Sequence, residues 1–271
     1  MAISTPVVNG GLMYINGMRL AYVDTTTFTV SQGLCRNSSN VNDINIGLPL
    51  NVAASQTGEL PVDAGGGAVT VDITANGAGG LDNGTLAVST FYAVHAIGDS
   101  FGNNAGSALI STSLTAPVLP AGYDMFRRIG FIKTDGSSHV LAFRQEGVTA
   151  DRWMWWDVAI ASGVTSGSSA TFASVDCSAG IPAMGVNSDA KFLVSFVPTA
   201  AADKLELRPG LSSATNGYAR ESGSVAGVAK ITIMECPVDT PMTDAVDYLV
   251  TGTAVAISVA AYLDQLEPQL S

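Results

Sequence analysis

The sequence predicts an all-β protein with an antiparallel β-sandwich and a small N-terminal β module or arm. The sandwich is compatible with a jelly-roll topology. Three observations predict this class. Apolar and polar residues alternate along many short segments, turn residues separate these segments, and no segment shows a helical apolar stripe longer than about three turns. The best candidate for a helix is a short turn near Thr240 to Ala245.

Alternation marks four of the five predicted strands. Successive side chains of a strand point to opposite faces, so each of these four segments is expected to bury one face. The fifth, Phe91 to Ile97, precedes a Gly-Asp-Ser turn. Two turn signals predict hairpins, Asn16-Gly17 in the first part of the chain and Asp135-Gly136 near its middle. The five predicted strands are Ala68 to Thr74, Phe91 to Ile97, Lys204 to Arg208, Lys230 to Glu235 and Val255 to Leu263.

Glycine-rich stretches indicate the domain organisation. Gly65 to Gly67 and Asn76 to Gly84 separate an N-terminal attachment module, residues 1–75, from a β-sandwich oligomerisation domain, residues 86–271. The same stretches are equally compatible with ordinary loops inside one domain. No repeat of fixed period is evident, which argues against solenoids and propellers.

Composition narrows the possible functions. A chain with 47% hydrophobic and 13% charged residues is neither disordered nor a coiled coil. Its net charge of −11 gives no attraction to phosphate backbones, so we expect no nucleic-acid partner. The most apolar segment, Leu249 to Leu263, is too short and too interrupted to cross a membrane, and the N-terminus has no secretion signal. We therefore expect synthesis in the cytoplasm and no membrane partner.

Cysteine and histidine are sparse. Cys35, Cys177 and Cys236 lie far apart without metal-binding spacing, so we expect three buried free thiols in a reducing compartment. His95 falls on an apolar strand face and His139 follows a turn, which predicts a buried and an exposed side chain. Neither has a cysteine or carboxylate cluster beside it, so the sequence predicts no metal site and no cofactor.

Ser100 is the strongest candidate for a catalytic residue. It lies in the segment Ala96 to Asn104, AIGDSFGNN, which resembles the first block of the GDSL hydrolases, where this serine is the nucleophile. Such a nucleophile needs a histidine base, and His95 and His139 are both misplaced for the family's C-terminal block. The family also has an α/β fold. We therefore predict no catalytic residues and no enzyme, and keep an esterase using Ser100 as a disfavoured alternative.

All three tryptophans, Trp153, Trp155 and Trp156, stand in one predicted strand. One interpretation is a stacking surface for a sugar, with Asp157 or Tyr218 nearby. The other is packing in the core or between subunits. Alternation places Trp153 and Trp155 on one face and Trp156 on the other, and a strand apolar on both faces is usually enclosed, so we favour packing.

The segment from Phe91 to Ser138 contains FYAVHAIGD, then APVLPAGY, then RRIGFIKTDGS. These motifs resemble a segment that recurs in tailed-bacteriophage structural proteins, and a second likeness covers Thr27 to Ile44. The resemblance implies a β-rich fold and homo-oligomeric, often trimeric, assembly, and it implies no catalytic residues. The matching residues are Tyr92, Ala93, Ile97, Asp99, Ala116, Pro117, Leu119, Pro120, Gly122, Tyr123, Arg127, Arg128, Ile129, Gly130, Thr134, Asp135, Gly136 and Ser137.

These observations together predict a non-enzymatic virion structural protein, a tail fibre, head fibre or capsid decoration protein, made in the host bacterial cytoplasm and located in the virion. Its expected partners are itself, as a homotrimer, and the major capsid or tail protein. The N-terminal segment is the predicted attachment arm, through strand addition or apolar docking of Val7, Val8, Leu12 and Tyr14. The alternative function is a carbohydrate-binding receptor module at a fibre tip.

Overall fold

A computed structural model confirms the all-β class and the antiparallel sandwich. It describes residues 14–47, 67–147, 150–162, 164–165, 167–184, 188–210, 212–213, 215, 217–223, 225–238 and 245–266. Every regular element among these residues is a strand. The strands are β1 (Ile15–Gly17), β2 (Leu20–Tyr22), β3 (Thr27–Val30), β4 (Gly33–Arg36), β5 (Asp43–Ile46), β6 (Val69–Asp72), β7 (Phe91–Gly98), β8 (Ser107–Ser111), β9 (Met125–Lys133), β10 (Phe143–Glu146), β11 (Asp151–Ala161), β12 (Ala173–Asp176), β13 (Ser188–Val197), β14 (Lys204–Pro209), β15 (Ala219–Ser222), β16 (Lys230–Val238), β17 (Ala245–Val250) and β18 (Thr253–Gln265).

The described strands form four sheets. The large sheet has eight strands in the order β16-β13-β18-β11-β10-β2-β3-β6. Two three-stranded sheets, β1-β4-β5 and β8-β7-β9, and a four-stranded sheet, β12-β17-β14-β15, accompany it. Every strand pairing in these sheets is antiparallel.

The β8-β7-β9 sheet is an inner layer. Every residue of β7 after Phe91 is buried. On one face the ring of Phe91 lies 6.0 Å from that of Trp156 in the large sheet. On the other face a Cβ on Gly98 would meet the side chain of Ile44 in β5 at 3.3 Å. Both faces of β7 are covered, which explains why FYAVHAIG is apolar at nearly every position.

The large sheet joins strands from distant parts of the chain at a narrow junction. β2 and β10 meet through one residue pair, Ala21 with Arg144. Arg152 supports this junction, because its guanidinium donates to the backbone oxygens of Gly17 at 2.6 Å and Met18 at 2.8 Å. Arg152 is fully buried, and burial lowers its pKa to about 10. Buried cations are tolerated where such acceptors surround them.

The glycine-rich stretch Asn76 to Gly84 is hydrogen-bonded to the inner layer. The N–H of Gly79 donates to the backbone oxygen of Ala108 in β8 at 2.8 Å. Gly65 and Gly66 lie outside the described residues. The division of the chain into two domains stays a prediction.

The first predicted hairpin is wrong. Gly17 has the positive φ, 72°, that Asn16-Gly17 predicts, and Met18 follows with a φ of 54°. However, β1 pairs with β4, whereas β2 pairs with β3 and β10. The chain bends here and passes from the β1-β4-β5 sheet to the large sheet. Met18 and Leu20, which follow the bend, are both buried. Turn chemistry predicts the bend and not the partner of each strand.

The second predicted turn is confirmed, although its hairpin is short. The N–H of Asp135 donates to the backbone oxygen of His139 at 2.8 Å, and Thr134 forms an antiparallel bridge with Val140. Beyond Leu141 the chain leaves β9, and β10 joins β2 and β11. The turn therefore links the inner layer to the large sheet.

The five predicted strands are confirmed as β6, β7, β14, β16 and β18. Of the predicted short helix, Ala245 begins β17 and the other residues lie outside the described residues. Glu206 departs from the alternation, because its side chain is buried beside two leucines. Its carboxylate lies 2.7 Å from the Lys204 ammonium and 3.7 Å from the Arg220 guanidinium, and these cations offset the cost of burial.

Candidate functional site

One face of the large sheet is open to solvent and carries apolar side chains. Direct pairing between β13 and β16 places Leu193 beside Ile233, and Ser195 beside Ile231. The exposed fractions of Leu193, Ile231 and Ile233 are 38%, 68% and 53%. The alternation correctly puts both isoleucines on one face, and the structure shows that this face is the exposed one. We call it the outer face; its members used below are Trp153, Trp155, Lys191, Leu193, Ile231 and Ile233.

The tryptophans are divided between two faces, as the alternation predicts. Trp156 is buried in the sandwich, where its Nε1–H donates to the backbone oxygen of Gly180 at 2.9 Å. Trp153 and Trp155 lie on the outer face with ring centroids 6.5 Å apart. The Lys191 ammonium stands 4.1 Å from the first centroid and 5.0 Å from the second. The two rings therefore already hold a cation against their π faces.

A cleft of about 420 Å³ opens at the junction between β2, β10 and β11. Four of its seven lining residues are aromatic, and the Arg144 guanidinium lies 5.9 Å from the Trp155 centroid. Such a cleft accommodates a planar apolar group and offers it one cation and one carboxylate. Tyr218, predicted near the tryptophans, is exposed beside the four-stranded sheet and does not line this cleft. The cleft is lined by Tyr22, Ala142, Phe143, Arg144, Trp155, Trp156 and Asp157.

Ser100 stands in a tightly hydrogen-bonded loop after β7. Its hydroxyl donates to one carboxylate oxygen of Asp124, and its N–H donates to the other at 2.7 Å. Asp99 accepts the N–H groups of Phe101 at 2.9 Å and of Asn103 at 2.8 Å, and these bonds lower the pKa of Asp99. The structure thus pairs Ser100 with a carboxylate, not with an imidazole.

Both histidines have the predicted exposure. His139 is half exposed, with its Nδ1 3.6 Å from the Asp135 carboxylate. His95 is fully buried, its Nε2 lies 2.9 Å from the backbone oxygen of Ser113, and its ring meets the edge of Phe126. Burial lowers the pKa of His95 to about 4. This imidazole is neutral at ordinary pH.

Of the predicted attachment residues, Val7, Val8 and Leu12 lie outside the described residues. Tyr14 is half-buried, and its backbone oxygen accepts the N–H of Arg36 in β4 at 3.0 Å. Burial and a hydrogen bond to Asp43 raise the pKa of the Tyr14 phenol. Tyr14 is therefore joined to the β1-β4-β5 sheet.

All three cysteines are buried, which confirms the predicted burial, and the reducing compartment stays a prediction. Burial raises the pKa of Cys35 and of Cys236 to about 12, so both are protonated thiols. In the described part of the chain no three His, Cys, Asp or Glu side chains cluster as metal ligands would. Nor does that part contain a helix of the length and apolarity that a membrane crossing requires.

The sequence analysis did not identify three residues of this region, which are Phe101 at the loop tip and Tyr22 and Arg144 in the cleft. Phe101 had a detectable signal, since it is a large apolar residue among turn-forming Gly, Asp, Ser and Asn. Tyr22 and Arg144 had none, because only the junction of β2 with β10 brings them together. No family model matches this chain, and no curated protein matches it with significance.

Proposed function

We propose that this chain is a non-enzymatic structural component of a bacteriophage virion, which associates with copies of itself and docks on a capsid or tail protein. The observation that carries the proposal is the outer face. Leu193, Ile231 and Ile233 form a contiguous apolar group on a regular strand pair, and apolar groups of this kind mark surfaces that another polypeptide covers. The low charged fraction, 13%, suits a surface that is largely buried in an assembly.

The segment that resembles phage structural proteins supports the proposal through its place in the fold. Its two adjacent arginines hold the end of β18. The Arg128 guanidinium contacts Asp264 at 2.6 Å and the backbone oxygen of Gln265 at 3.0 Å, and Arg127 donates to the backbone oxygen of Leu266. These contacts join β9 of the inner layer to the end of β18 in the large sheet, so the two arginines have a structural role in the fold.

The test is the state of association of the purified full chain, followed by imaging of virions that lack it. We expect an oligomer at micromolar concentration by mass photometry, and a missing density on the particle. A monomer would contradict self-association. Turnover of a generic ester that disappears in Ser100→Ala would instead establish the esterase.

A second candidate function, sugar binding, is favoured by the cleft, because Trp155 lines it together with Asp157 and Arg144. Aromatic faces with a few polar groups are typical of saccharide sites. A glycan array probed with the wild-type chain and with Trp155→Ala tests it. Binding that is lost in the variant while the oligomer persists would support this function.

A further inference from the structure

The side chain of Phe101 is almost fully exposed to solvent. Its exposed fraction is 85%, the largest among the exposed large apolar side chains of the described residues. The residues around it, Gly102 and Asn103, are exposed as well, so no neighbouring side chain covers the ring. Aromatic side chains that fill a pocket of the partner are among the residues that contribute most to binding at interfaces.

The loop that carries Phe101 is held in one shape. Asp99 accepts the N–H of Phe101, and Asn104 donates from its Nδ2 to the backbone oxygen of Gly122 at 3.0 Å. The N–H of Ser100 is bound by Asp124. Because the backbone is already ordered, docking of Phe101 costs little further conformational entropy.

The cleft defined above has the volume to receive this ring from another copy. An apolar cavity of about 150 Å³ holds a benzene ring, and the cleft measures about 420 Å³. The two features lie at opposite ends of β7. Phe91 at its start contacts Trp156 of the cleft, and Phe101 follows its end, about 26 Å farther along a strand of eight residues. A chain therefore cannot insert its own Phe101 into its own cleft.

Charge favours a second copy as the occupant. Asp99 and Asp124 give the loop two carboxylates beside Phe101. Arg144 lines the cleft together with one carboxylate, Asp157, and Arg19 lines the adjoining surface with Arg144, so the two surfaces together carry two cations and one carboxylate. The side chain of Arg144 is 69% exposed, and its contact with Glu146 is a surface pair of small energy that an incoming carboxylate can replace.

We propose that Phe101 of one copy inserts into the Tyr22–Phe143–Trp155 cleft of the next, so that the chains associate head to tail. The inference rests on the self-association stated under the proposed function and names its contact. A head-to-tail contact closes into a ring when its rotation permits, and the expected trimer is one such ring. Trp155 belongs to both the cleft and the outer face, so the incoming copy also covers part of that face.

The experiment compares the wild-type chain with Phe101→Ala, Arg144→Glu and a matched control, Tyr218→Ala, by mass photometry and sedimentation over a dilution series. Tyr218 is also an exposed aromatic residue, 68% exposed, and lies away from the cleft. We expect Phe101→Ala to weaken association about 30-fold or more, as loss of an aromatic anchor does. Arg144→Glu should weaken it as well, and Tyr218→Ala should leave it unchanged.

Mixing the two defective variants identifies the geometry. Phe101→Ala retains an intact cleft and Arg144→Glu retains an intact Phe101, so an equimolar mixture should form dimers that cannot grow or close. Circular dichroism and urea unfolding verify that each variant is folded. Wild-type association that persists in Phe101→Ala overturns the contact and leaves self-association standing. A monomeric wild-type chain overturns both. A mixture without dimers, or a wild-type oligomer whose clefts bind a saccharide, also overturns the head-to-tail contact.

Discussion

Acid should destabilise this protein through His95, at a pH where carboxylates still contribute little. His95 is fully buried, and its Nε2 must carry a proton because its partner, the backbone oxygen of Ser113, can only accept. Nδ1 is then unprotonated, and its lone pair is buried without a hydrogen-bond partner in the described structure. Protonating it would place a charged N–H group next to no acceptor, with the Arg128 cation in the neighbourhood.

The magnitude follows from the two pKa values of the imidazole. Burial lowers the pKa from 6.5 to about 4 in the folded chain. Well above pH 6.5 the imidazole is neutral in both the folded and the unfolded chain, so His95 has no effect on the pH dependence of stability. As the pH falls below 6.5, the unfolded chain binds a proton that the folded chain does not. Stability is therefore lost, by about 2 kcal/mol at pH 5 and by about 3 kcal/mol in total once the pH reaches about 4.

The assay is urea unfolding at pH 8 and at pH 5 for the wild-type chain, His95→Gln and His139→Gln. Glutamine keeps an N–H donor for Ser113 and does not titrate, so His95→Gln should lose about 2 kcal/mol of the pH dependence whatever its stability at pH 8. His139→Gln is the matched control, since His139 is half exposed. The pH dependence should change less in His139→Gln than in His95→Gln.

Two results would refute this reasoning. One is an unchanged difference between pH 8 and pH 5 in His95→Gln, which would mean that other groups bind the extra protons. The other is a His95 pKa near 6.5 in the folded chain, measured by the NMR titration of its ring protons. Asp24 and Asp203, whose pKa values are lowered by hydrogen bonds, act below this window, because their unfolded pKa is 3.8.

Three further predictions concern packing and reactivity. Arg128→Ala should lower the free energy of unfolding by about 3 kcal/mol in urea titrations, because it removes the cation that pairs with the fully buried Asp264 carboxylate. A loss below about 1 kcal/mol would contradict a buried pair. The three thiols should resist a disulfide reagent in the native chain and react together in denaturant, and rapid native labelling of any of them would contradict their burial. Ile233→Ser should weaken concentration-dependent association while changing unfolding free energy by less than about 0.5 kcal/mol, whereas Val88→Ser, an equally exposed apolar site, should do neither.

The candidate site shows how far local patterns reach. The split of Trp153 and Trp155 from Trp156 was predictable, because alternation is a property of one strand. That Lys191 covers the two outer rings was not, since β13 and β11 meet only through β18. The cleft was equally out of reach, because Tyr22 and Trp155 come from strands more than a hundred residues apart in the chain.

From the sequence alone follow the all-β class, the two faces of β11 and β16, the bends at Gly17 and Asp135, and the burial of the thiols. These depend on neighbouring residues and on the cost of leaving apolar groups in water. The tertiary structure decided which strands pair, why the isoleucines of β16 face solvent, and that Arg128 meets Asp264 across 136 residues. Pairing of distant strands is a choice among many registers, and only the total burial and hydrogen bonding of the whole chain selects one of them.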